Sequence, residues 1–340
     1  MSGNHIVGFD IGGANIKAAH LDGMALSRSF PLWKEPHQLS HALAEMLSEL
    51  PRVDRLAVTM TGELADCFET KAEGVATILD AVELAAEGRP VDVWQTAGEF
   101  VDPELATEYP LLVAAANWHA LASWIGQSHP EGNALLIDIG STTTDLIPIV
   151  NGAPATVGLT DVERLAAREL VYTGVRRTPL IALAQEAPFK GGPIPLAAEY
   201  FASTLDLYLL SGEIPESNDN CETANGRPAT KPEAVDRLCR MLCCDRTEID
   251  ADSLHSFAEF LRNAQLDRLR QALEEVITRF EEPVERLYLS GEGSFLAERL
   301  VRMFPQLSDA EQIRLDRLFS PELSTAACAY AVANLALQLA

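Results

Sequence analysis

The sequence predicts an α/β protein whose two domains face each other across a central cleft, and three observations support this fold class. The chain has 340 residues, which suits two domains of roughly 100–200 residues each. Apolar residues make up 47% and charged residues 22%, so each half can bury a core of its own. Finally, one strand–loop–strand unit occurs twice, once in each half of the chain.

The repeated unit is IVGFDIGGANIKAAHLDG at 6–23 and LLIDIGSTTTDLIPIVNG at 135–152. Both copies run from an apolar strand through Asp, Ile and Gly into a small polar loop and a second apolar strand. Asp10 corresponds to Asp138, and Gly12 corresponds to Gly140. An Asp-Gly or Asn-Gly dipeptide, typical of type I′ turns, closes each unit. The constant offset predicts two equivalent antiparallel hairpins.

The elements that follow complete an alternating order. Hydrophobic spacing predicts a helix over 37–50, a strand over 54–62, a helix over 71–88 and a strand over 90–100. A helix-rich stretch then runs from Asp161 to about Glu281, before a strand at 285–291 and further helices. We therefore expect an N-terminal domain at 1–128 and a C-terminal domain at 129–323 with a helical insertion at about 190–280. The C-terminal helix at 324–340 is expected to pack on the first domain.

The two hairpin loops are candidate phosphate-binding sites. Glycine and small hydroxyl residues between strands let backbone N–H groups approach an anion closely. The candidate donors are Gly12, Gly13, Asn15 and Lys17 in the first loop, and Gly140, Ser141, Thr142, Thr143 and Thr144 in the second. Asp10 and Asp138 at the strand ends can hold Mg²⁺ directly or through water, and Asp145 faces either the metal or solvent. One such loop alone is an ordinary tight turn, whereas two equivalent copies favour phosphate binding.

A third glycine-rich segment, Ser290-Gly291-Glu292-Gly293, ends a predicted strand and starts a helix. Gly291 and Gly293 there permit a phosphate or a nucleotide ribose to approach the helix N-terminus. The order of the three segments resembles that of the actin-like ATPase/sugar-kinase superfamily. That resemblance implies two ribonuclease-H-like domains of the actin/hexokinase/Hsp70 type around a cleft.

Four further stretches resemble a narrower family. They are TMTGELADCF (59–68), AAANWHA (114–120), DIGSTTTDLIPI (138–149) and DVERLAARELVYTGVRRTPL (161–180). They are similar to hydantoinase/oxoprolinase-like proteins of tetrahydromethanopterin-linked one-carbon transfer, and within them to the methanofuran-pathway synthase family. This resemblance implies a transferase that joins aminomethylfuran diphosphate to the phenol oxygen of (γ-glutamyl)tyramine and releases diphosphate. The alternatives are an ATP-dependent phosphotransferase or ATPase, with ATP as its cofactor, and an ATP-sensing binding module.

Individual side chains suit the transferase reaction. Loop N–H groups, Lys17 and Mg²⁺ held by Asp10 would stabilise charge on the departing diphosphate, and Glu63 is the candidate base for the phenol, unless it is a surface residue in a turn. Asn117 and His119 are candidate substrate contacts, although packing beside Trp118 is an equal alternative. Arg176 and Arg177 follow a segment that predicts a glycine-terminated helix, so they bind either substrate anions or the helix dipole.

Charge and cysteine usage limit the partners. The net charge of −24 disfavours nucleic acid and anionic membranes, which leaves small-molecule diphosphate and phenolic amine substrates as the expected partners. No signal-peptide pattern opens the chain, and free cysteines indicate the reducing cytoplasm. The spacing of Cys239, Cys243 and Cys244 does not suit a zinc site. The sequence is compatible with a homodimer but does not give the oligomeric state.

Overall fold

The computed structural model describes residues 5–339, so Met1–Asn4 of the expected first domain and Ala340 of the expected last helix lie outside the described residues. The strands are β1 Ile6–Gly12, β2 Asn15–His20, β3 Ala25–Ser29, β4 Arg55–Thr61, β5 Val91–Trp94, β6 Phe100–Val101, β7 Asn133–Ile139, β8 Thr144–Val150, β9 Ala153–Pro154, β10 Leu170–Val171, β11 Glu186–Phe189, β12 Gly192–Pro195, β13 Arg286–Ser290 and β14 Glu311–Arg314. The helices are α1 Leu39–Glu49, α2 Lys71–Ala86, α3 Pro103–Glu108, α4 Pro110–Val113, α5 Asn117–Gln127, α6 Asp161–Ala166, α7 Thr204–Ser211, α8 Lys231–Met241, α9 Ala251–Ile277, α10 Ser294–Val301, α11 Leu315–Leu318, α12 Pro321–Thr325 and α13 Ala327–Ala336.

Two mixed sheets form the framework and repeat one topology. The first has the strand order β3-β2-β1-β4-β5-β6, and the second has the order β10-β8-β7-β13-β14 with β9 beside β8. In each sheet the central strand, β1 or β7, pairs antiparallel with the next strand and parallel with a later one. Asp10 lies opposite Lys17 in the first hairpin, and Asp138 lies opposite Asp145 in the second. The two-domain α/β class and the repeated hairpin are therefore confirmed.

The central strands are buried on both faces because helices cover both. Val7, Phe9 and Ile11 of β1 pack in one core with α1 and α2. Helices α5 and α13 lie between the two sheets, since their residues share one core with β1 and β4 and another with β7 and β8. This arrangement directs the carboxyl ends of β1 and β7 toward a common region.

Two expected elements differ from the structure. The strand expected over 90–100 is interrupted by a turn in which Gly98 has a φ of +88°, and its two halves pair antiparallel as β5 and β6. The glycine-terminated helix expected before Arg176 is wrong, because α6 ends at Ala166 and Leu170–Val171 instead pairs with β8. The β-branched and aromatic residues near 171 favour that edge strand over a continued helix.

The second half carries most of the remaining helices. Helices α7, α8 and α9 pack around a buried ion pair in which Arg237 Nε donates to Asp206 Oδ1 at 2.7 Å. Between Glu216 and Thr230 the chain has no helix, as the turn-rich composition of that segment predicts. Across residues 5–339, none of the helices combines the length and the apolar character needed to span a bilayer.

The contact between α13 and β1 requires a glycine and gives a stability prediction. A Cβ at Gly8 would clash with the backbone carbonyl of Ala329, whereas a Cβ at Gly13 would meet nothing within 4 Å. Because a helix backbone cannot yield as a flexible side chain can, Gly8→Ala should destabilise the fold by at least about 2 kcal/mol. The matched change Gly13→Ala should stay within about 1 kcal/mol. Thermal unfolding of the two variants checks this, and equal melting temperatures would contradict it.

Candidate active site

The second hairpin loop is held in place by the segment that follows β10. The carbonyl of Gly140 accepts a hydrogen bond from the Val175 N–H, and that of Ser141 accepts from the N–H groups of Arg176 and Arg177, each at 3.0 Å. A Cβ on Gly174 would clash with this loop, which explains a glycine there. The loop backbone is therefore fixed before any ligand binds.

The hydroxyl groups of this loop divide into two kinds. Ser141, Thr142 and Thr143 are partly exposed, and the first two hydroxyl oxygens lie 3.4 Å apart, so they can reach a ligand. Thr144 is fully buried, and its hydroxyl donates to the backbone carbonyl of Thr173 at 2.8 Å. Thr144 thus braces β8 against the supporting segment and does not offer its hydroxyl to a phosphate, contrary to expectation.

The first hairpin loop is more open. Gly12, Gly13 and Asn15 are all partly exposed. The carbonyls of Gly13 and Ala14 accept hydrogen bonds from the backbone N–H groups of Leu32 and Phe30, at 3.0 and 2.9 Å. Their carbonyl oxygens are thereby directed away from the loop surface, which suits a loop that presents N–H groups to an anion.

Asp10 and Lys17 form the centre of the site. Lys17 Nζ lies 3.7 Å from Asp10 Oδ2, and the Lys17 side chain is one-third exposed while Asp10 is buried. Burial raises the pKa of Asp10, against the opposing effects of Lys17 and Asn117. Asp10 Oδ1 is buried without a hydrogen-bond partner within residues 5–339. An unpartnered carboxylate oxygen beside a cation indicates a position that a ligand completes.

Asp138 enters the same centre from the second hairpin. Burial, then repulsion from Asp145, raises its pKa to about 7, while Lys17 and a hydrogen bond from Ser290 act in the opposite direction. Burial by itself would lower the pKa of Lys17. The surrounding acidic groups, Asp10 first, have the larger combined effect, so the Lys17 pKa is raised. Asp10 and Asp138, one from each hairpin, therefore lie within the electrostatic range of the same cation, Lys17.

Cys328 is a member of this centre that sequence reasoning missed. It lies in the first turn of α13 and is buried, and burial followed by the charges of Asp10 and Asp138 raises the pKa of its thiol well above the usual value. The Ala-rich sequence around it predicts only a packed helix. No local signal could have placed residue 328 beside residue 10.

The expected metal cluster of Asp10, Asp138 and Asp145 is not formed as a set. Asp145 Oδ1 accepts a hydrogen bond from Arg164 Nη2 at 2.6 Å, and the buried Arg164 guanidinium lies 4.0 Å from the centre of the Trp118 ring. Within the described part of the chain, no group of three or more His, Cys, Asp or Glu residues is arranged to hold a metal ion. Asp10 and Asp138 are the carboxylates that remain for a cation shared with phosphate oxygens.

Glu63 follows β4 and is only 2% exposed, so the alternative that it is a surface residue in a turn is wrong. Burial raises its pKa to about 7, and Asp161 adds to the effect, while Lys71 and the N–H of Ala115 oppose it. Helix α2 touches the Glu63 backbone, because Gly74 has no Cβ to prevent the approach. Since Asp161 begins α6 of the second half, Glu63 lies where the two halves meet.

His119 and Asn117 both lie on the first turn of α5 but differ in their surroundings. His119 is buried, its Nδ1 accepts from Trp94 Nε1 at 3.2 Å, and burial followed by Arg164 lowers its pKa to about 4. The ring is therefore neutral and engaged in packing between α5 and β5. Asn117 acts on Asp10, because its Oδ1 accepts from the Trp118 N–H at 2.8 Å and leaves the amide group for the carboxyl.

Arg176 and Arg177 are both paired with carboxylates. Arg176 pairs with Glu292, and Arg177 Nη2 lies 3.6 Å from Glu222 Oε2. Glu222 also accepts a hydrogen bond from Ser29 Oγ at 3.4 Å, which links the second half to the edge strand of the first sheet. Arg177 thus lies beside a contact between the two halves of the chain.

The glycines of the third segment bring its backbone against Asp138. Gly291 has a φ of +82°, and a Cβ there would lie 2.5 Å from Asp138 Oδ1. The Gly293 N–H donates to the Ile139 carbonyl at 2.9 Å. The two glycines therefore hold this segment beside the second loop.

Two sheets that each present a hairpin loop to a shared cleft define the actin-like ATPase/sugar-kinase class of fold. A nucleotide-free structure of acetone carboxylase shares this fold, with a TM-score of 0.57 and 11% identity over 97% of this chain and 70% of that chain. Residues 54–336 match the hydantoinase/oxoprolinase family, and the chain belongs to that family.

Two curated relatives carry the same name, (4-{4-[2-(gamma-L-glutamylamino)ethyl]phenoxymethyl}furan-2-yl)methanamine synthase. The protein of Methanocaldococcus jannaschii is 35% identical over 333 residues, which cover 97% of each chain. The protein of Methanococcus vannielii is 31% identical over 205 residues, which cover 60% of this chain and 91% of that protein.

Proposed function

We propose that this protein is a transferase that joins aminomethylfuran diphosphate to the phenol oxygen of γ-glutamyltyramine and releases diphosphate. The name of the relative that aligns over 97% of both chains supports this reaction. The observation that carries the proposal is the centre formed by Lys17, buried Asp10 and Asp138 at two hairpins, together with the buried carboxyl of Glu63 at a pKa of about 7. In this arrangement the two loops and Lys17 would bind an anion, and Glu63 would accept a proton.

The loops would bind the diphosphate. Breaking the bond between the furan-bearing carbon and the diphosphate oxygen leaves the electron pair on that oxygen, so negative charge grows there. Preformed N–H groups, the Ser141 and Thr142 hydroxyls and the Lys17 ammonium can stabilise that charge at little reorganisation cost. The furan-bound methylene carbon that loses the diphosphate then bonds to the phenol oxygen, which forms the ether.

A divalent cation such as Mg²⁺ fits this centre in part. The buried and unpartnered Asp10 Oδ1, with Asp138 beside it, offers carboxylate oxygens of the kind that Mg²⁺ shares with substrate phosphates. When bound, Mg²⁺ would supply positive charge that neutralises the phosphate oxygens. Asp145 is not expected to contribute, because Arg164 already occupies its carboxylate.

Glu63 would accept the phenol proton. A phenol has a pKa near 10 and is a weak nucleophile at neutral pH unless a base removes its proton. A carboxyl whose pKa is about 7 is ionised in half of the molecules at that pH and is a stronger base than an ordinary glutamate. The phenol proton moves to the Glu63 carboxylate as the ether bond forms, so atoms and charge balance.

Lys17 provides a direct test of the charge-stabilising centre. Lys17→Met should lower kcat by about 100- to 1,000-fold, because the growing charge on the leaving group loses its nearest cation. Lys17→Arg should retain part of the activity. The control is Lys34→Met, which removes an exposed cation of the same half of the chain. Steady-state kinetics with a diphosphate-release assay gives the comparison, and wild-type kcat in Lys17→Met would exclude the role.

The reaction itself is tested by phosphorus NMR in two samples. One holds protein, Mg²⁺, aminomethylfuran diphosphate and γ-glutamyltyramine, and the other holds protein, Mg²⁺ and ATP. Diphosphate and a coupled ether product in the first sample alone support the transferase. ADP or AMP in the second alone would establish an ATP-dependent enzyme, the second candidate, which the glycine segment at Gly291 beside Asp138 favours.

A further inference from the structure

Glu292 occupies an unusual position for an acidic residue beside a phosphate site. It follows Gly291, whose left-handed backbone and missing Cβ bring the chain within reach of Asp138. The Glu292 side chain is 45% exposed, and its Oε2 accepts a hydrogen bond from Arg176 Nε. A carboxylate therefore sits at the mouth of the second loop, where a phosphate would need positive charge.

The cations around Glu292 are the ones that a phosphate would use. Arg176 is anchored by its own backbone N–H to the Ser141 carbonyl at 3.0 Å, so its guanidinium starts from the loop itself. Lys17, from the opposite hairpin, lies within the electrostatic range of Glu292 as well as of Asp10 and Asp138. Glu292 thus lies within the electrostatic range of a cation from each half of the chain.

We propose that Glu292 is an internal competitor of the diphosphate: its carboxylate pairs with Arg176, and the diphosphate displaces it on binding. This inference rests on the proposed function, because it places a diphosphate between the two hairpins. Glu292 would set how tightly the protein holds the diphosphate of its substrate and of its product.

The physical basis is the equivalence of the two anions. A carboxylate and a phosphate oxygen make the same charge-assisted hydrogen bond to a guanidinium, so only one of them can occupy Arg176 Nε at a time. The resident pair must open before the ligand can bind to Arg176. The apparent affinity is therefore the intrinsic affinity multiplied by the fraction of molecules in which the pair is open. Partly exposed ion pairs are weak, so the carboxylate can leave and return. Its return would help to expel the product.

The experiment measures the binding of inorganic diphosphate with Mg²⁺ by titration calorimetry, without any turnover. Glu292→Gln should lower Kd about tenfold, since it removes the competing charge and its repulsion of the ligand. The matched control is Glu311→Gln, which makes the same change of net charge at an exposed ion pair with Arg286 on the second sheet. Its Kd should equal that of the wild type.

A double-variant cycle identifies Arg176 as the group for which the anions compete. Arg176→Gln alone should weaken binding, and in that background Glu292→Gln should improve Kd by less than about threefold. An equal or higher Kd in Glu292→Gln, or a gain that is undiminished without Arg176, would overturn the competition while leaving the transferase intact. Absence of diphosphate binding by the wild-type protein at millimolar concentration would instead overturn both proposals.

Discussion

Replacing Asp138 by Asn is expected to lower kcat by about 1,000-fold while the protein remains folded. The substitution keeps the shape of the side chain at the end of β7 but removes the negative charge that faces Lys17 and Ser290. A neutral amide cannot hold the cation–diphosphate arrangement in which that carboxylate takes part, and losing one such interaction in a preformed site has effects of about 100- to 1,000-fold. The rate of product formation at saturating substrate concentrations measures kcat for the variant and the wild type.

The direction in which this substitution changes the stability of the fold follows from the raised pKa of Asp138. A carboxyl whose pKa is about 7 in the folded protein favours folding when protonated, and that contribution is lost as the pH rises through 7. Asp138→Asn should therefore melt at the wild-type temperature at low pH and at the same or a higher temperature at pH 8. Asp309→Asn, at an exposed carboxylate, serves as the control. Full activity in Asp138→Asn would exclude the shared centre as the site of catalysis.

Glu63→Gln is expected to produce the second large loss, and its size should depend on pH. With Glu63 as the base, wild-type kcat/KM should rise with pH up to a pKa of about 7 and then level off. The variant must rely on phenol that has ionised in solution, so its rate should keep rising toward the phenol pKa near 10. The deficit should be about 1,000-fold at pH 6 and should shrink steadily above pH 7.

The control for this profile is Glu83→Gln, an exposed carboxylate on α2, the helix that touches the Glu63 backbone. It should leave the wild-type profile unchanged. If Glu63→Gln lost activity by the same factor at every pH, Glu63 would be a positioning residue and not the base.

Local sequence patterns predicted the framework because they depend on neighbours in the chain. The hairpin of Asp10 and Lys17 is encoded by apolar alternation, two glycines and a closing turn, and the structure has it as predicted. Helices α1 and α2 likewise begin and end within two residues of the spans that their hydrophobic spacing predicts. The sequence pattern placed Glu63 in a turn at the end of a strand, but it did not indicate that the side chain is buried.

Contacts between distant segments could not be predicted in the same way. Arg164 lies on a short helix, and its sequence neighbours do not indicate that it pairs with Asp145, which lies 19 residues earlier in the chain. Trp94, which donates to His119, is 25 residues away along the chain, and only the packed fold shows that this histidine is occupied. Such pairings depend on how sheets and helices stack, which hydrophobic periodicity does not specify.

The packing of α13 on β1 also has a consequence for how the protein is made. Ribosomes deliver the chain from its amino end, so β1 emerges long before α13, the helix that covers Gly8 and carries Cys328. During synthesis one face of the first sheet stays uncovered until roughly three hundred further residues have been added. The centre around Asp10 can therefore be complete only once α13 has been synthesised, and a chain that stops before α13 is left with an exposed apolar face for chaperones or proteases to recognise.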